Sequence, residues 1–109
     1  MISIKISKDF SEIPGPRLIC EGEHSGEEFR EKMLIPKYQE AIQKGEKLII
    51  DLDGGYGFPT SFLEESFGGL ARVFDPNEVT STLDFISNDE PSLIEEINEY
   101  IVHANDKKR

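Results

Sequence analysis

The sequence predicts an α/β fold, a sandwich in which a mixed sheet of about four to five strands packs against helices in the order ββαβαβα. Three observations carry this reading. Ile2, Ile4 and Ile6 alternate with Ser3, Lys5 and Ser7 at the start of the chain. An apolar run, Leu48-Ile49-Ile50 with Leu52, ends abruptly at Asp53-Gly54-Gly55. Apolar stripes at helical spacing fill the stretches that follow each strand-like segment.

The alternation at residues 2–6 is that of a strand with one buried face, and residues 17–20 read as a second short strand after the turn at Pro14-Gly15-Pro16. From Ser25 a helix is expected, with Phe29, Met33 and Leu34 on one face and Tyr38, Ala41 and Ile42 on another, ending near Gly45. Pro36 lacks an amide and crowds the preceding turn, so a kink or two helices joined around Ile35 are expected there. Residues 47–52 form the most strand-like segment and read as the central strand. Leu63, Phe67, Leu70, Ala71 and Phe74 form the next helical stripe, starting near Ser61 with Ser61 and Glu64 as a capping box. Residues 82–87 read as a further strand, and Leu93, Ile94, Ile97, Ile101 and Ala104 as a final helix opened by residues 88–91. Strands alternating with helices imply right-handed crossovers and parallel pairing, with the two N-terminal strands adding an antiparallel edge.

With 109 residues the chain has the length of one domain, assigned to residues 1–106, followed by a basic end, Lys107-Lys108-Arg109, expected to fray. Twelve basic against 22 acidic residues give a net charge of −10, which repels phosphate backbones and anionic lipid; neither nucleic acid nor membrane is an expected partner. The opening residues do not read as a signal peptide, and no apolar run approaches the ~20 residues of a spanning helix. Cys20 is the lone cysteine, and with His24 and His103 the only histidines, no metal site or other cofactor is expected; a reducing, cytoplasmic setting fits. Cys20 is expected to be buried on its strand, and both histidines to lie on the surface.

Working loops in such sheets lie beyond the carboxyl ends of the parallel strands, here residues 53–60 and 88–90. Asp51 and Asp53 at the end of an apolar strand match the opening of a Mg²⁺-dependent phosphatase motif, an enzyme alternative. That chemistry also needs a downstream lysine, and none precedes Lys107. The plainer reading is that Asp53-Gly54-Gly55 turns the chain. Tyr56 and Phe58 sit in a glycine-flanked loop where aromatics anchor a partner or cover the sheet end, with Phe58 expected to pack inward. Thr60 and Ser61 are candidate phosphoacceptors, although capping alone explains Ser61 and is the favoured reading, with which phosphorylation is compatible. Gly68 and Gly69 inside a helix imply a close approach, to the sheet or to another chain.

The stretch from Leu48 to Leu70, Leu-Ile-Ile-Asp-Leu-Asp-Gly-Gly-Tyr-Gly-Phe-Pro-Thr-Ser-Phe-Leu-Glu-Glu-Ser-Phe-Gly-Gly-Leu, resembles the STAS-like family of bacterial domains of unknown function. Its features are a strand ending in aspartate, a loop, then Ser-Phe-Leu-x-Glu and an apolar Phe-Gly-x-Leu. The Leu83-Asp84-Phe85-Ile86 strand and the helix after it fit too. The family is named for its likeness to sulfate-transporter and anti-sigma-factor-antagonist domains. The resemblance implies a STAS-like sandwich and a non-enzymatic regulatory role in binding a protein partner, such as a serine kinase or a histidine-kinase-like ATPase. In the antagonists the helix after the corresponding strand opens with Asp-Ser-Ser-Gly, whose first serine is phosphorylated. Laid without gaps from Asp51, those positions become Pro59, Thr60, Ser61 and Phe62, so the aspartate and the glycine are lost. The implied docking surface comprises Asp53, Tyr56, Phe58, Glu64 and Glu65. A homodimeric structural subunit is a third reading.

Overall fold

In the computed structural model, which describes residues 2–107, three strands form one parallel sheet in the order β1 (Ile2–Lys5), β2 (Leu48–Asp51), β3 (Leu83–Ile86). The register sets Ile2, Leu48 and Leu83 side by side, and Ile4 beside Ile50 and Phe85. Alternation along each strand then separates two faces. Ile2, Ile4, Leu48, Ile50 and Leu83 are buried in the core, while Ser3, Lys5, Ile49, Asp51, Asp84 and Ile86 form an opposite face that is exposed or half-exposed. β2 is central and β1 lies at an edge, as their patterns imply.

Two expectations are corrected. Among the described residues the sheet has three strands, all parallel, rather than a mixed set of four to five, and residues 17–20 are not a strand. Instead the carbonyls of Pro16 and Arg17 accept the amides of Gly26 and Glu27 at the start of the next helix, and Ile19–Glu21 closes a 3₁₀ turn. With those groups committed to a helix end, no ladder forms. Cys20 on that turn is exposed, not buried. His24 and His103 are exposed as expected.

The helices follow their sequence signals closely but with two local insertions. A short turn α1 (Ile6–Asp9) follows β1; α2 (Gly26–Phe29) is capped by Ser25, whose hydroxyl accepts the Glu28 amide at 3.0 Å. A π turn, Arg30–Leu34, joins it to α3 (Ile35–Lys44), and Ile35 donates its amide to the Arg30 carbonyl, one residue further back than in an α-helix. The wider turn takes up Pro36, which has no amide to place. The second helix repeats the device: α4 (Thr60–Leu63), a π turn Glu64–Gly68, then α5 (Gly69–Val73). Helix α6 (Pro76–Thr82) was not foreseen, although its start, Asp75-Pro76-Asn77-Glu78, is a readable cap: Asp75 accepts the Glu78 amide at 3.1 Å. Helix α7 (Ser92–Val102) and a final 3₁₀ turn, Ala104–Lys107, end the described chain; Lys108 and Arg109 of the basic end, and its fraying, lie outside the described residues. Phe29, Leu34, Tyr38, Phe62, Phe67, Leu70 and Ile97 are fully buried and fill the space between these helices and the inner sheet face. Among the described residues no helix is long and apolar enough to cross a membrane.

Candidate functional site

Beyond the carboxyl ends of the strands, the two loops named from the sequence are tied into one unit. The Asp53 carboxylate accepts the backbone amides of Asn88 at 2.8 Å and Asp89 at 2.9 Å, and the Asn88 side-chain amide at 3.1 Å. Asp89 returns the link by accepting the Gly54 amide at 3.0 Å. These hydrogen bonds, the Asp89 amide foremost, hold the Asp53 carboxyl below its ordinary pKa. Asp51 accepts the Asp53 amide at 2.9 Å and faces Lys5 Nζ at 3.3 Å, while Ser7 Oγ donates to the Asp53 carbonyl at 3.0 Å. Gly54 turns the chain with φ 95°, where a side chain would also meet Ser7. Both aspartates therefore fix the loop. Among the described residues no group of three or more His, Cys, Asp or Glu side chains is placed to hold a metal ion.

Tyr56 stands on this frame with 81% of its surface exposed. Its amide donates to the Glu12 carbonyl at 3.0 Å, which brings the N-terminal segment alongside and sets Ile13, 69% exposed, next to it. Phe58 is half-buried, its ring centroid 6.0 Å from that of Phe62, so it packs inward as expected. Leu52, Tyr56, Phe58, Asp89, Glu90 and Leu93 line a depression of about 250 Å³.

At the start of α4, Pro59 holds the N-cap position and no side chain caps it, so Ser61 and Glu64 do not form the expected box. Thr60 is exposed and Ser61 half-buried. Glu64 and Glu65 are 3% and 6% exposed, which removes both from any docking face. They belong to a buried ionic cluster. Glu64 pairs with Arg72 at 2.7 and 3.2 Å and with Arg17; Glu65 pairs with Arg30 at 2.6 Å and Arg17 at 3.1 Å. Arg30 also donates to the Glu65 carbonyl at 2.9 Å, and Arg72 to the Ala104 carbonyl at 3.2 Å. Burial alone would raise the Glu64 carboxyl, but Arg72 and Arg17 outweigh it and hold the pKa at about 2; Glu65 is lowered in the same way by Arg30 and Arg17. Gly68 and Gly69 make room for this cluster: a Cβ on Gly68 would lie 2.6 Å from Glu64 Oε2, and one on Gly69 2.5 Å from Arg30 Nη1. Their close approach is thus to side chains of the chain itself, not to the sheet.

The model of the STAS-like domain of unknown function (DUF4325) matches residues 25–93, more than half of the chain. The chain belongs to this family of STAS-like domains. No curated protein and no solved structure gives a significant match.

Proposed function

We propose that this chain is a non-enzymatic, cytoplasmic regulatory module that binds a protein partner through the loop at residues 53–60, with Tyr56 as its anchor. The observation that carries the reading is the 81% exposure of a large aromatic side chain on a loop held by the Asp53, Asp89 and Glu12 contacts. A rigidly mounted tyrosine offers contact area with little conformational entropy to lose on binding, which is why tyrosine is enriched among residues that dominate interfaces. Of the two candidate phosphoacceptors, Ser61 is half-buried and Thr60 is the exposed residue. A phosphate there would add about 1.5 to 2 negative charges beside the docking loop and so alter capture of a partner. The likeness of the family to anti-sigma-factor antagonists supports a serine kinase or a histidine-kinase-like ATPase as that partner.

The test is affinity capture from native cytosol with the wild-type chain, Tyr56→Ala, Thr60→Asp and Ser61→Asp, each verified for its melting temperature. Loss of a partner with Tyr56→Ala and a changed yield with Thr60→Asp are expected. Identical partner sets across all four folded proteins would overturn the reading.

A further inference from the structure

We infer that the docking loop recognises a basic protein segment that presents one apolar side chain, an inference that rests on the docking reading above. Leu52, Phe58 and Leu93 contribute apolar atoms to the lining of the depression beside Tyr56, whose volume is about 250 Å³. That is below the ~300–1,000 Å³ of pockets for drug-sized ligands and suits a single inserted side chain. The charged residues that line it are both acidic. Asp89 and Glu90 line it, Asp53 lies directly behind it, and Glu12 meets the Tyr56 amide through its own carbonyl. Lys5, the cation nearest Gly54, is paired with Asp51.

This sign selects among occupants. A second copy of the chain would bring the same carboxylates against themselves, and nucleic acid or anionic lipid would bring phosphates; each meets like charge. A segment rich in lysine or arginine meets opposite charge at the rim while its apolar residue leaves water in the depression and packs beside Tyr56 and Ile13. Asp53 and Asp89 are occupied with loop amides, so the carboxylates of Glu12 and Glu90, both on exposed residues, are the ones left to receive the cations.

The experiment is titration of the ¹⁵N-labelled full chain with three synthetic peptides of equal length: lysine-rich with a central leucine, lysine-rich with a central serine, and glutamate-rich with a central leucine. The first is expected to shift the amides of Tyr56, Gly57, Phe58 and Leu93 saturably. Its affinity is expected to fall about tenfold between about 50 and 300 mM salt. A similar loss is expected in the double variant Glu12→Gln with Glu90→Gln, whose spectrum should otherwise match the wild type. Equal binding of the glutamate-rich peptide, or an unchanged affinity in the double variant, overturns the charge assignment and leaves the docking loop in place. Absence of loop shifts with every peptide overturns the inference. If Tyr56→Ala also leaves cytosolic capture unaltered, the docking reading falls with it. A concentration-dependent dimer mass abolished by Tyr56→Ala would assign the loop to a second copy instead.

Discussion

Two pairs of carboxylates have opposite fates in the fold. Glu64 and Glu65, inside a helix, are buried and neutralised by three arginines drawn from positions 17, 30 and 72. Asp53 and Asp89, in loops, stay at the surface and bind backbone amides. The helical pair stitches the N-terminal segment, the first helix and the second helix into one body. The loop pair holds a scaffold still while leaving the charge of the neighbouring carboxylates open to solvent. Charge at a helix start is therefore not evidence of a surface, and an aspartate at a strand end is not evidence of catalysis, until the partners of each are known.

The contrast can be broken most forcefully at Glu64. Glu64→Ala leaves Arg72 and Arg17 without their carboxylate and is expected to destabilise the fold by about 3 kcal/mol, the lower end for a broken buried pair because both arginines reach solvent. Urea unfolding measures it, and a cost near zero would mean that the cluster behaves like a surface ion pair. Acid addresses the same pair without mutation. The Glu64 pKa is lowered on folding, from about 4.5 to about 2, so its contribution is present in full above about pH 4.5 and disappears as the pH falls through about 2. Urea midpoints between those limits should fall for the wild type and change less in Glu64→Gln.

At the loop the effects are smaller. Asp53→Asn keeps an oxygen for the two backbone amides but removes the charge that strengthens those bonds and the second oxygen, which accepts the Asn88 side-chain amide; it is expected to cost about 1 kcal/mol, with faster hydrogen exchange at Asn88 and Asp89 and little change at Ile50. Tyr56→Ala is expected to shift stability by no more than about 0.5 kcal/mol, since the ring touches little of the core. A larger loss would show that Tyr56 is a structural residue and weaken its role as an anchor.

The three strands were legible because each combines apolar residues with a clear boundary, and the parallel pairing of β2 and β3 followed from the helices between them. Residues 17–20 misled because Leu18 and Ile19 are apolar, whereas their backbone groups serve the start of α2. The first helical stripe read as two faces. Phe29 and Leu34 of one face and Tyr38 and Ala41 of the other are all fully buried, with the π turn at Arg30–Leu34 between Phe29 and Tyr38; Phe62 and Phe67, five positions apart like Phe29 and Leu34, stand before and within the corresponding turn of the second helix. The loop site was visible as glycines and aromatics after a strand, together with residues 88–90. The arginine cluster was not, since no spacing links positions 17, 30 and 72 before the chain folds.

The parallel sheet also dictates an order of events. Lys5 and Asp51 are register partners 46 positions apart, and β2 meets β3 only across α4, α5 and α6. Neither pairing is local, so each must wait until loop closure is repaid by contacts made elsewhere, which slows folding relative to a helical bundle of the same size. β1 precedes its partner β2 in the chain and is an edge strand with an alternating pattern, and Lys5 in its sequence guards it against other chains during the interval before β2 pairs with it.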